Sequence, residues 1–221
     1  MEPLAVTSRT RIGRLAERQR IDRADLYALL DDALVATVST VRGGEPFVLP
    51  MAVARDEDRL LLHGSSGAGL LGVLATGARV AVCVTRVDGL VFARSVFDSS
   101  MNYRSAVVFG VPSVLDGDAK VAALEALTAH LMPGRWEEVR PPTRKELAAT
   151  TVLSLPLDEA SVKVRAAGAS GAEADAPGVW AGVVPVVRLL GGAVTAQDAT
   201  ADVPASVARA RDRFSCAAGL P

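Results

Sequence analysis

Cysteine, histidine and aromatic residues are scarce in this chain, and each scarcity removes a class of function. The two cysteines, Cys83 and Cys216, make neither a disulfide framework nor a metal site, so a reduced, cytoplasmic protein is expected. Two histidines, His63 and His130, leave little material for a Ser-His-Asp or Cys-His constellation, and none stands out. Aromatics make up 4% of the residues, and the abundant Ala, Val, Leu and Arg speak of a GC-rich genome rather than of chemistry. Charge of one sign is also missing. The net charge is −1 with acids and bases interspersed, which gives no footprint for nucleic acid. Half the residues are hydrophobic, yet no apolar run approaches the ~20 residues that span a bilayer, so no membrane partner is expected. Arg9, Arg11, Arg14, Arg18 and Arg20 interrupt the N-terminus and deny it the apolar core of a secretion signal.

What is present is alternation. The 221 residues suit one domain with a sizeable core, or one domain plus a tail. Asp22 is placed as the N-cap of a helix over about 23–33, with Leu26, Leu29, Leu30 and Leu34 at helical spacing. Val35 to Val41 and Phe47 to Ala54 read as a hairpin closed at Gly43-Gly44, and Pro46 and Pro50 put the second strand at an edge or a bulge. Arg59 to His63 is a third strand, and Gly67 to Ala75 a short helix with Leu70, Leu71 and Leu74 on one face. Arg79 to Val87 and Leu90 to Val96 read as strands reversing at Asp88-Gly89, and Ser105 to Leu115 as the next strand. A helix follows over Ala119 to Met132 with a stripe of Val121, Leu124, Leu127 and Leu131. Val152 to Leu157 and Ala160 to Arg165 are the last regular strands, Ala166 to Pro177 an aperiodic loop, and Val203 to Phe214 a closing helix. This order predicts a mainly β fold with α (α+β), a six-stranded antiparallel barrel with flanking helices. It divides into an N-terminal arm over 1–20, a barrel domain over 21–187 and a tail over 188–221.

Residues 92–110 carry the most chemistry. Two apolar runs flank a polar centre with Arg94, Asn102, Tyr103, Arg104 and serines that include Ser105. A buried sheet seldom accepts so many polar side chains unless a ligand or a partner meets them. Arg94 and Arg104 are planar, permanently charged forks suited to a phosphate or a carbonyl edge. The stretch resembles the Tyr-Arg-Ser strand of the FMN-binding split-barrel proteins related to pyridoxamine 5'-phosphate oxidase and the nitroimidazole-resistance reductases. Phe47-Val-Leu-Pro-Met51, His63-Gly-Ser-Ser66, and Pro141 to Leu147 followed by Val152 to Val164 extend the resemblance, in order, across roughly residues 8–187.

The resemblance implies a homodimer with FMN at its interface and a small organic molecule as substrate. The flavin phosphate would sit on His63, Gly64, Ser65, Ser66 and Gly67, where small residues admit a phosphate and the serines donate. Arg94, Asn102, Tyr103, Arg104 and Ser105 would complete the cofactor site, with Trp180 and Met51 as candidates for substrate contact. The pattern departs from the family where relatives carry basic residues, at Gly69 and Leu70, and at Asp98, where they carry histidine. Absence of a second basic cluster argues against pyridoxamine-phosphate oxidation itself. No catalytic residue is assigned, because a flavin brings its own hydride or electron chemistry. Other readings stand beside this one. The barrel is then a flavin-independent enzyme or small-molecule binder using the same pocket, or a haem- or deazaflavin-binding relative with His63 as an axial ligand. Individually, His63 is a ligand contact or a structural hydrogen bond, Arg94 and Arg104 are ligands or interfacial ion-pair partners, and Tyr103 stacks on flavin or covers the barrel mouth. Cys83 reads as a buried structural thiol and His130 as a solvated or capping residue.

Overall fold

The computed structural model describes residues 2–67, 69–170 and 178–215. Cys216, Ala68 in the expected phosphate loop and the 171–177 part of the expected aperiodic loop lie outside the described residues. The carboxylate of Asp22 accepts the Ala24 N–H at 2.9 Å and starts α1 (Arg23–Asp32), which buries Leu26, Leu29 and Leu30. The hairpin of β2 (Ala36–Arg42) and β3 (Glu45–Met51) turns through Gly43 and Gly44, whose φ values of 61° and 85° favour glycine. β4 (Val53–Asp56), β5 (Arg59–Ser65) and α2 (Gly69–Ala75) follow, then the long pair β6 (Val80–Phe92) and β7 (Ser100–Gly110). β8 (Ser113–Val114), α3 (Gly117–Leu131), α4 (Arg135–Glu138), α5 (Arg144–Ala148), β9 (Thr150–Pro156) and β10 (Glu159–Arg165) complete the barrel. The N-terminal arm adds β1 (Gln19–Arg20), the end of the expected barrel domain adds β11 (Gly182–Pro185), and the tail adds α6 (Ala205–Phe214).

Two antiparallel sheets make a split barrel with helices packed around it. The larger runs β1-β10-β7-β6-β2-β3 with β11 beside β6, and the smaller runs β4-β5-β9-β8. β3 lies at the edge, where its two prolines cost no ladder hydrogen bond. The described residues form eleven strands where periodicity gives eight: β1 and β11 are added, Phe47 to Ala54 divides into β3 and β4, Ser105 to Leu115 divides into β7 and β8, and the two strands expected on either side of Asp88-Gly89 are the single β6. Inner faces of the large sheet bring Val38, Val82, Val84, Ala106, Val108 and Val162 onto Leu60, Leu62, Leu153 and Leu155 of the small sheet. The other side of the small sheet is covered as well: Leu61, Ala54 and Val152 pack on Ala123 and Leu127 of α3. Three consecutive leucines, Leu60 to Leu62, are therefore fully buried, since a strand covered on both faces loses its period-2 pattern.

Four sequence expectations change. No hairpin forms at Asp88-Gly89; β6 runs through to Phe92 with a bulge between Val87 and Gly89, and the chain reverses over 93–99. Gly89 is needed for a close approach instead of a turn: a Cβ there would stand 2.9 Å from Val183 and 3.2 Å from the Val184 carbonyl of β11. The buried face of α3 is Ala123, Leu127 and His130, with Val121, Leu124 and Leu131 on its half-buried flanks. His130 is buried: Nε2 donates to the Ala33 carbonyl at 2.6 Å, and Nδ1 accepts from Arg213 at 3.3 Å. A guanidinium only donates, which fixes this tautomer. Cys83 alternates with the core residues Val82 and Val84, so its thiol sits half-exposed on the outer face of the large sheet, 3.7 Å from the Thr85 hydroxyl.

The tail is docked on the barrel. Arg188 donates to the Phe214 carbonyl at 2.8 Å and pairs with Asp32, which also holds Arg86. Phe214 is 1% exposed, its ring edge-on to His130 at 5.8 Å. Ser206 at the start of α6 is buried against the Glu138 carboxylate.

Candidate functional site

The outer face of the large sheet is open. Tyr103, Ser105 and Val107 alternate onto it from β7, while Ala106 and Val108 point into the core. Register sets Thr85 against Ser105 and Cys83 against Val107, so small polar and apolar groups tile the middle of the face. At one end Leu90, Phe92, Met101, Val184 and Trp180 are each 44–64% exposed, with the Trp180 and Phe92 rings 6.0 Å apart. Val96 and Phe97, on the adjoining 93–99 reversal, are each 95% exposed. A monomer seldom leaves so much contiguous apolar surface to water.

Arg94, in that reversal, has its Nε buried without a hydrogen-bond partner among the described residues. Asp98 is committed locally: its carboxylate accepts the Ser95 hydroxyl at 2.6 Å, and its N–H donates back to Ser95 Oγ at 3.0 Å. Asn102 is buried and engaged at both amide atoms, donating to the Ala167 carbonyl at 3.0 Å and accepting from the Ala167 N–H and from Arg165. Its geometry fastens the strand to the segment after β10. Arg104 makes a bidentate pair with Asp88 of the same chain, at 2.9 and 3.0 Å across the β6 bulge.

The glycine-serine segment lies on the other sheet. His63 stands on β5 opposite Val152, half-buried, with Nδ1 enclosed and without a hydrogen-bond partner among the described residues. Burial lowers its pKa, so the ring is neutral at physiological pH and fit to accept a hydrogen bond or ligate a metal. Gly64 is sterically required, because a Cβ would stand 2.8 Å from the Leu71 side chain. Ser65 Oγ accepts the Gly67 N–H at 3.3 Å, and the Ser66 N–H donates to the Ala149 carbonyl at 2.8 Å. Met51 ends β3, half-buried against the core. Sequence reasoning passed over Arg42, whose guanidinium lies beside Gly69; Val-Arg-Gly-Gly reads locally as a hairpin turn and nothing more.

His130 shares the lowered pKa of His63, in both cases chiefly through burial. In the unfolded chain both rings titrate near ~6.5, so below that pH the unfolded state binds protons that the native state refuses. Stability is fully present above that value and is lost as pH falls toward the folded pKa values. The urea midpoint is expected to drop between about pH 7.5 and about pH 5.5, and a flat or rising midpoint would contradict the burial of both rings.

A cavity of about 940 Å³ lies under the tail, lined by Met132, Leu190, Val194, Val207 and Arg211 among others; none of the residues read as cofactor-binding lines it.

A model of the pyridoxamine 5'-phosphate oxidase family matches residues 22–164. The structure of an FAD and haem binding protein from Mycobacterium smegmatis is 45% identical, with a TM-score of 0.85 over 88% of this chain and 97% of that one. Flavocytochrome Anf3 from Azotobacter vinelandii is 33% identical, with a TM-score of 0.87 over 94% and 98% of the two chains. A proposed 5-nitroimidazole antibiotic resistance protein from Bacteroides thetaiotaomicron shares the fold, at 20% identity and a TM-score of 0.56 over 66% and 86%. No curated protein matches the chain. The matched segment holds the β2–β3 hairpin, the His63 segment and the whole polar strand, and the chain belongs to the pyridoxamine 5'-phosphate oxidase family.

Proposed function

We propose that this protein is a flavin-binding oxidoreductase that acts as a homodimer on a small organic molecule. One observation carries the reading. Two buried side-chain polar atoms lack a partner among the described residues, His63 Nδ1 and Arg94 Nε, and both belong to the expected cofactor set. Native folds satisfy nearly all such atoms, so a group from outside the chain is the natural partner. When bound, the isoalloxazine supplies the hydride or electron transfer. The protein binds and orients: His63 to Gly67 border the phosphoryl end, and Arg94, Tyr103 and Ser105 present donors and an aromatic edge toward the ring. Asn102 and Arg104 act from behind, through Ala167 and Asp88, by fixing the strand. Trp180 and Met51 remain the candidates for substrate contact. A second subunit on the outer face would cover Phe92, Phe97, Trp180 and Val184 and exclude water from the site.

The flavin is FMN by family resemblance, whereas the Mycobacterium smegmatis relative is named for FAD. Both share the ring and a phosphoryl group. Purified protein is expected to bind one of them, with a Kd on the order of tens of micromolar or tighter. By light scattering it is expected to have twice the 22.9 kDa chain mass. A protein that quenches neither flavin sinks the reading, and a monomer removes the composite site.

The neutral, unpartnered imidazole of His63 also favours a second occupant. That relative is named for haem as well, and His63 is a fitting axial ligand. Reconstitution with haem is expected to give a Soret band that His63→Ala abolishes. A band unchanged in His63→Ala would rule His63 out as the ligand.

A further inference from the structure

Arg42 ends β2 beside the hairpin turn, and its guanidinium carbon lies 4.0 Å from the centre of the Phe47 ring. The stacking holds the side chain against the start of α2. A Cβ built on Gly69 would stand 3.0 Å from Arg42 Nη1 and 3.7 Å from the Phe47 ring, so Gly69 is the residue that makes room for this arginine. Arg42 forms no ion pair among the described residues. The neighbouring loop has spent part of its own donor capacity. The Ser66 N–H is bonded to Ala149 and the Gly67 N–H to Ser65, which leaves the Ser65 and Ser66 hydroxyls and a cation from elsewhere to receive an anion.

We propose that Arg42 supplies the phosphoryl-binding charge that Gly69 and Leu70 lack, gripping a phosphoryl oxygen of the bound flavin nucleotide from the adjacent hairpin. The proposal rests on the flavin reading above. A guanidinium suits the task, since its planar fork binds phosphate oxygens in pairs and stacks on an aromatic face at the same time. The ring of Phe47 restricts the side chain before the ligand arrives, which lowers the entropy lost on binding. Losing the basic residues at 69–70 and gaining space for Arg42 are then one change: charge enters from a strand instead of from the helix.

Fluorescence titration with riboflavin, FMN and FAD separates this proposal from the flavin reading itself. The wild-type protein is expected to prefer a phosphorylated flavin to riboflavin. Arg42→Ala is expected to weaken that phosphorylated flavin by about ten- to a hundredfold and leave riboflavin binding unchanged, which also certifies the fold. Arg42→Lys is expected to recover part of the loss, and Gly69→Ala to weaken the same ligand by contesting the guanidinium's position. Arg42→Ala with an unchanged FMN and FAD affinity overturns the proposal and leaves the flavin reading intact. Equal losses for riboflavin and the nucleotides overturn it too, since the arginine would then be structural. Wild-type protein that binds none of the three overturns both.

Discussion

Phe214→Ala is expected to destabilise the protein by about 3–5 kcal/mol, the range for deleting a large buried aromatic ring. Phe214 is 1% exposed and sits edge-on to His130 at 5.8 Å, with the guanidinium carbons of Arg188 and Arg213 at 5.4 and 5.5 Å from its ring centre. The void left by alanine cannot collapse easily, because α1 and α3 are both pinned to the barrel core. Two cation–π contacts go with the ring, each worth about 0.5–2 kcal/mol when partly desolvated. The effect should spread along the tail. Arg188 donates to the Phe214 carbonyl, so loosening the C-terminal end of α6 loosens the segment that follows β11. Urea denaturation gives the free energy, and limited proteolysis should cleave the variant first within residues 188–205. A loss below about 1 kcal/mol would mean that the tail does not dock as described.

Asp32→Asn is expected to cost about 2–4 kcal/mol. Its carboxylate lies between Arg86 and Arg188, the three side chains being 18%, 13% and 26% exposed. Breaking a buried pair costs about 3–5 kcal/mol, because the surviving charge stays buried without compensation. Two features reduce that figure here. Arg86 keeps a second partner, Asp88, at 3.4 Å, and an acidic residue at the end of α1 opposes the helix dipole, so its removal returns about 0.3–1 kcal/mol. Arg188 keeps backbone carbonyls, of Phe214 and Asp32, but no second carboxylate among the described residues, and the variant should lose the tail before it loses the barrel. Denaturant melts at low and high salt make the check. A cost that vanishes in high salt would assign the pair to the screened surface instead.

Much of the architecture was legible in the chain. Asp22 before a leucine-rich helical period, Gly43-Gly44 between alternating runs and Pro46 and Pro50 at an edge each act through a local steric or hydrogen-bonding rule. Four of the errors have a common cause. Asp88-Gly89 has the composition of a turn, but turn residues also serve a bulge, and only the packing of β11 against Gly89 decides between them. Helical spacing gave α3 an apolar stripe, and which flank of that stripe went inward depended on the small sheet it meets. Cys83 and His130 were misplaced because one residue of register exchanges inside and outside on a strand, and a helix end is buried or solvated by whatever packs over it.

The candidate site divides the same way. Arg94, Tyr103 and Ser105 could be singled out from the improbable density of polar groups in an apolar hairpin, and the glycine-serine segment from its composition. That Asn102 is consumed by Ala167 and Arg104 by Asp88, or that Arg42 reaches Gly69 from another strand, has no signal along the chain. The sequence by itself determined the mainly antiparallel β class, the apolar strands that form the core and the family, since these depend on local periodicity and on motif order. Tertiary structure alone decided which polar atoms are left without partners, which arginine meets which carboxylate, and that the tail locks onto α1. Such contacts join residues 16 to 182 positions apart, and only the shared packing of two sheets brings them within a hydrogen bond of one another.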